Sequence, residues 1–187
     1  MPFWSDVSTV PKRNHRFLVS LGALGAPQYT VKTVSKPKFS VNNVEHNFLS
    51  HKFNFPGIVS WDPVSMTVAD GAGFMNEDGV FSTSAGDNNA ENFYAALITS
   101  GYITPSDMST TQQSSFSKSQ AAGAAGKITI SQIGDDQTIL DRFELISPWI
   151  ESVDFGSLSY EDDGITEIQL SFRYDYATFM GINATGA

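Results

Sequence analysis

Residues 165–176 read ITEIQLSFRYDY, and their alternation decides the fold. Ile168, Leu170, Phe172, Tyr174 and Tyr176 fall on one parity, and Glu167, Gln169, Ser171, Arg173 and Asp175 fall on the other. Side chains of an extended chain alternate between faces, so this segment is a strand with a dry face and a wet or interface face. Upstream, Asp163-Gly164 is a tight-turn dipeptide. Trp149–Phe155 reads as a short strand. Lys127–Ile133 and Thr138–Ser147 form a hairpin around Gly134-Asp135-Asp136. Short strands joined by turns in this way predict a mainly β chain, an antiparallel β-sandwich or half-barrel.

Towards the N-terminus the same pattern continues with breaks. Arg16–Leu21 places Phe17, Val19 and Leu21 on one face, and Gly22, Gly25 and Pro27 end it. Gln28–Val41 is β-branched and basic, and Pro37 marks an edge or a bulge. His46–Phe55 reads as a further extended run with Phe53 and Phe55 on one side, closed by a turn at Pro56-Gly57. Ser60–Val68 alternates with Val64, Met66 and Val68 on one side and Ser65 and Thr67 on the other. Residues 69–87 hold four glycines and read as a loop. Asp87 or Asn88 caps one α-helix at about 89–100, in which Phe93, Ala96, Leu97 and Ile98 form a stripe. Residues 102–126, rich in Ser, Thr, Gln, Ala and Gly, read as a long loop. The expected organisation is an arm at 1–15, one β domain at 16–176 and a tail at 177–187.

Composition narrows the chemistry. The 187 residues suit a single domain, and a 41% hydrophobic share is ample for a core. There is no cysteine, which removes disulfides, thiolate nucleophiles and Cys-based zinc sites. A formal charge of −9 repels phosphate backbones and anionic membranes. The first residues lack the apolar core of a secretory signal, and no run reaches the length of a membrane span.

No constellation of catalytic or ligand groups emerges. His46 and His51, five apart in one expected strand, would point to opposite faces, and His15 stands alone. Glu45 beside His46 meets the same obstacle. Asp70, Asn76, Glu77 and Asp78 sit in a Gly-rich loop but do not match an EF-hand. Asp135-Asp136 and Glu161-Asp162-Asp163 fall where turns need Asp. Asn183-Ala184-Thr185 is a sequon without a secretory route. Neither a nucleophile elbow, a P-loop nor a dinucleotide glycine motif is present, so an enzyme, a cofactor and a metal are not expected. Trp4, Trp61 and Trp149 leave one rival role, a carbohydrate-binding β-sandwich module of a tail fibre.

Three segments carry a resemblance. Residues 139–179 contain Trp149-Ile150, then Val153-Asp154-Phe155-Gly156, the acidic turn Glu161–Gly164, and Phe172-Arg173-Tyr174-Asp175. Residues 53–70 read FNFPGIVSWDPVSMTVAD, and residues 2–22 read PFWSDVSTVPKRNHRFLVSLG. Together they resemble the tail tube family of T4-like contractile phages, and the Ser/Gln/Ala-rich stretch at 104–126 departs from its shorter forms. The resemblance implies a structural virion protein, assembled in the host cytoplasm, whose sheets join between subunits into a ring barrel. Its hexameric rings would stack into the inner tail tube that conducts DNA during ejection. The implied partners are further copies of the chain, the sheath protein, the baseplate hub, the tail terminator and a tape-measure protein inside. DNA would pass without specific binding. Glu167, Gln169, Ser171, Arg173 and Asp175 would form a polar lumen or inter-subunit face, and Phe3 and Trp4 an inter-subunit arm. A tube-like adaptor or terminator, or a secreted ring-forming injection-system protein, is the alternative within the same fold.

Overall fold

The computed structural model describes residues 11–71, 74–75, 81–82, 88–105, 116–161 and 163–181. In chain order the strands are β1 (Phe17–Ser20), β2 (Val31–Val34), β3 (Phe39–Phe48), β4 (His51–Trp61), β5 (Val64–Ala69), β6 (Phe74–Met75), β7 (Phe81–Ser82), β8 (Ile128–Ile133), β9 (Ile139–Ile146), β10 (Trp149–Asp154), β11 (Glu167–Arg173) and β12 (Tyr176–Gly181). Helices α1 (Asn89–Thr99) and α2 (Lys118–Ala125) lie between β7 and β8.

Two four-stranded sheets carry the body, with orders β1-β8-β9-β12 and β10-β11-β5-β2. Every strand pair is antiparallel. The first sheet contributes Val19, Ile128, Ile130 and Leu145 to the core, and the second contributes Val64, Met66, Val68, Ile168, Leu170 and Phe172. Phe93 and Ala96 of α1 and Ala124 of α2 join the same cluster. Fully burying each large apolar side chain stabilises the fold by roughly 1.5–3 kcal/mol before entropy is counted.

β11 obeys the alternation of its sequence: Ile168, Leu170 and Phe172 are buried, and Tyr174 just beyond it is buried too. The strand is nevertheless shorter than the pattern. It stops at Arg173, the chain bends through Tyr174 and Asp175, and Tyr176 starts β12 in the opposite sheet. The Asp175 N–H donates to the Ile146 carbonyl at 3.0 Å and marks the crossing. Tyr176, expected on the core face, is therefore half exposed. Residues 177–181, expected as part of a tail, pair with β9.

Three further expectations change. The helix at about 89–100 is present, capped by Asn88, whose Oδ1 accepts from the Glu91 N–H at 3.2 Å. A second helix, α2, occupies the end of the expected loop 102–126. It has no apolar stripe for a period to reveal. Alanine propensity, the Ser117 cap and the burial of its own Ala124 and Ala125 hold it instead. Gly126 then ends it at φ +66°, where a Cβ would stand 2.8 Å from the Ala23 backbone nitrogen. Within the expected loop 69–87, β6 and β7 pair with each other.

The third change concerns residues 39–61. His46–Phe55 is not one strand: β3 and β4 form a long hairpin turning at Leu49 and Ser50, with Leu49 at φ 52°. Pro56-Gly57 is not the turn. It lies inside β4 where the register shifts, one of the places a sheet accepts proline.

Candidate assembly surfaces

Three surfaces stand out, and each begins in the strand pattern. The first is the outer face of sheet β10-β11-β5-β2. Thr33 of β2, Ser65 and Thr67 of β5, Gln169 and Ser171 of β11, and Ser152 and Asp154 of β10 line a shallow depression of about 580 Å³. These are small or polar groups, because the apolar parity of the same strands is spent on the core.

Most of the charged groups on and beside this face are paired, and Asp154 accepts a backbone N–H without a cation beside it among the described residues. Lys32 meets Glu167. Arg173 Nε donates to Glu151 Oε1 at 2.8 Å, and Ser171 Oγ donates to the other Glu151 oxygen at 3.3 Å. Lys118 Nζ donates to both Asp175 oxygens, at 2.6 and 2.7 Å. Asp154 Oδ1 accepts from the Gly156 N–H at 2.9 Å. Exposed pairs of this kind contribute ~0–1 kcal/mol each to stability. Their larger effect is to cancel charge locally.

The structure thus puts Glu167, Gln169, Ser171 and Arg173 together on one face, and Asp175 just past its end, in the bend before β12. Phe3 and Trp4 lie outside the described residues, as do Asn76, Glu77, Asp78 and Asp162. Sequence reasoning missed Lys32 and Glu151, whose roles depend on neighbouring strands, and Lys118, which reaches Asp175 from the start of α2.

The second surface is the pair of sheet edges. Among the described residues no strand pairs with the outer side of β2 or of β10. Unpaired ladder groups on such edges invite another strand.

The third surface is the hairpin β3–β4, exposed along almost its whole length. Residues directly opposite in an antiparallel pair share a face. Phe39 faces Trp61 and Val41 faces Val59, so these four lie on one side. Beyond the shift Asn43 faces Pro56, Val44 faces Phe55, His46 faces Phe53 and Phe48 faces His51. β3 runs through without an extra residue, so Val44, His46 and Phe48 lie on the side opposite Phe39 and Val41. The apolar face therefore inverts at Pro56-Gly57. Polar groups invert with it: Ser40 and Ser60 hydrogen-bond at 2.9 Å behind the basal patch. Asn43 donates to Asn54 at 2.9 Å, and Lys52 to Glu45 at 3.2 Å, behind the tip patch.

The hairpin also corrects the reading of the histidines. His46 and His51 share a face instead of opposing each other. Among the described residues no group of three or more His, Cys, Asp or Glu is placed to hold a metal. The acidic turn at 135–136 is structural: Arg16 meets Asp135, and Asp136 Oδ1 accepts from Thr138 Oγ1 at 2.6 Å and from its N–H at 3.2 Å. These bonds hold the Asp136 carboxyl below its usual range. Trp61 packs between Phe39 and Tyr174, with ring centroids 5.3 and 5.9 Å away. Among the described residues no helix is long and apolar enough to cross a membrane.

No protein-family model matches the chain, and no curated protein sequence matches it. Solved structures do. A chain of the anti-feeding prophage cap, a tube-terminating cap, is 17% identical, covers 97% of this chain and 99% of its own length, and superposes with a TM-score of 0.60. A chain of the PVC sheath–tube complex, from an extracellular contractile injection system in the extended state, is 16% identical over 94% of this chain and 95% of its own, with a TM-score of 0.61. A chain of the PVC sheath/tube terminator is 16% identical over 93% and 99%, with a TM-score of 0.62. The chain therefore shares its β fold with chains found in the cap, sheath–tube and terminator assemblies of contractile injection systems.

Proposed function

We propose that this chain is a structural, non-catalytic subunit that closes into hexameric rings and stacks into the inner tube of a contractile tail. One observation carries the reading. A single sheet combines a shallow polar outer face, whose charges are mostly paired, with end strands β2 and β10 that have no outer partner among the described residues. Edge β2 of one copy adds to edge β10 of the next, and cyclic closure removes the exposed edges. The polar face, with Glu167, Gln169, Ser171 and Arg173, then lines the lumen. Hydroxyl and amide groups with paired charges offer a passing polymer little to adhere to. The assignment is to the inner tail tube of a contractile-tailed bacteriophage, with DNA as cargo, sheath outside, tape-measure protein inside, and baseplate hub and terminator at the ends.

A second reading has specific support. The cap and terminator chains match as well as the sheath–tube chain does, so a ring-forming terminator fits the same fold. Negative-stain electron microscopy of the purified protein separates the two. Long hollow tubes support the tube subunit, and isolated rings support the terminator. Monomers at every concentration would overturn both, and clear hits on a glycan array would favour the carbohydrate-binding module.

A further inference from the structure

The two end strands of sheet β10-β11-β5-β2 differ in charge. Residues 11–38, which include β2, hold six of the chain's 11 Lys and Arg and no Asp or Glu. Residues 149–166, which include β10 and the loop after it, hold five Asp or Glu and no Lys or Arg. Neither edge is a regular strand. In β2 the register with β5 shifts between Val31 and Thr33, and in β10 the register with β11 shifts between Ile150 and Ser152. The residue skipped at each shift is charged and exposed: Lys32 in β2 and Glu151 in β10. A charge or a bulge in an edge strand discourages indiscriminate pairing, and each edge here has both. Lys32 and Glu151 meet Glu167 and Arg173 of their own chain. Lys36 and Asp154 meet no opposite charge among the described residues. Lys36 Nζ donates to Gln132 Oε1 at 2.6 Å, and Asp154 accepts only the Gly156 N–H.

We propose that opposite charge on the two edges selects the mode of assembly: the Lys32–Lys36 edge receives the Glu151–Asp154 edge of a second copy and rejects another β2. The inference rests on the tube reading, in which β2 and β10 join. Strand direction supports it. Passing from β10 through β11 and β5 to β2 reverses direction three times, so β2 runs opposite to β10. Rotation about a ring axis keeps each strand's direction along that axis. The β2 of one copy therefore meets the β10 of the next antiparallel, with the end of β10 beside the start of β2. Asp154 then falls near Lys32, and Glu151 near the Lys36 end. Two β2 edges related by a two-fold axis would also be antiparallel, but they would set Lys32 and Lys36 against their own kind. Such a like-with-like contact closes as a dimer, whereas unlike edges join head to tail and close as a ring. Charge thus chooses the ring. The screening length at physiological salt is about 8 Å, so the choice is made where the edges touch.

The test exchanges charge between the edges. Lys32→Glu/Lys36→Glu and Glu151→Lys/Asp154→Lys are each expected to raise the concentration for half-assembly, read by sedimentation velocity, roughly a hundredfold or more. Mixed in equal amounts, the two variants are expected to recover rings of alternating copies, because every contact then pairs an acidic edge with a basic one. Circular dichroism checks that each variant is folded before mixing. The milder variants Lys36→Gln and Asp154→Asn remove only the two charges without an ionic partner, and each is expected to raise the same concentration about tenfold. They keep the test decisive if a reversal does not fold. Wild-type assembly by a reversed or a neutral variant, or a mixture of folded reversed variants that stays monomeric, would overturn the charge selection and leave the tube reading standing. Wild-type protein that stays monomeric at every concentration would overturn the tube reading, and the selection with it.

Discussion

Gly57 of β4 lies against the backbone of Asn42 in β3, where a Cβ would stand 2.9 Å from the Asn42 carbonyl oxygen. The obstacle is backbone, which a rotamer change cannot relieve. Gly57→Ala is expected to disturb the register at the point where the apolar face inverts. The core is remote from this site, so the melting temperature of the isolated subunit is expected to move little, while assembly falls at least tenfold in a sedimentation assay.

Phe172 is fully buried in β11, opposite Val64 on one side and Ile150 on the other. Phe172→Ala is expected to cost ~3–5 kcal/mol in urea unfolding, from lost transfer energy and the cavity left behind. Phe172→Asp is expected to prevent folding, because an unpaired carboxylate would sit in the core. Its neighbour Ser171 points outward, and Ser171→Ala is expected to stay within about 0.5 kcal/mol of wild type. Soluble, folded Phe172→Asp protein would show that the two faces of β11 are assigned the wrong way round.

Burial raises the Tyr174 pKa above the ordinary 10.0, with the Lys38 backbone opposing and the Asp62 carboxylate adding to the rise. The folded state thus holds the phenol neutral where the unfolded chain would ionise it. The stability tied to this group is complete below about pH 10 and is lost as pH rises through the raised pKa. Unfolding midpoints measured from about pH 8 to pH 11 are expected to fall along an alkaline limb that Tyr174→Phe flattens. An unchanged limb in that variant would assign it to other groups.

Asn88 and Ser117 cap α1 and α2 through the Glu91 and Gln120 N–H groups, each at 3.2 Å. Asn88→Ala and Ser117→Ala are each expected to cost ~1 kcal/mol, read as a lower denaturation midpoint at constant slope. α2 has no apolar stripe of its own, so fraying of Lys118–Ala125 is expected to be the greater, visible as faster amide hydrogen exchange.

The alternation of Ile168, Leu170 and Phe172 against Gln169, Ser171 and Arg173 determined by itself that this region is a half-buried strand, and the same rule marked β1, β5 and β8. Asn88 and the Phe93–Ala96 spacing announced α1. These features are local, set by the period of one element. The parity change in β3, from Phe39 and Val41 to Val44 and Phe48, was also present in the letters. Its meaning needed β4 opposite it, because a bulge reveals itself only when two strands are in register. Only the tertiary structure decided where β11 ends and β12 crosses between sheets, that Ala-rich residues 118–125 are helical, and which basic group neutralises each acid on the polar face. Those outcomes depend on contacts between residues as far apart in the chain as Lys32 and Glu167. Such contacts leave no period behind, because the energy that selects them arises only once the sheets have packed.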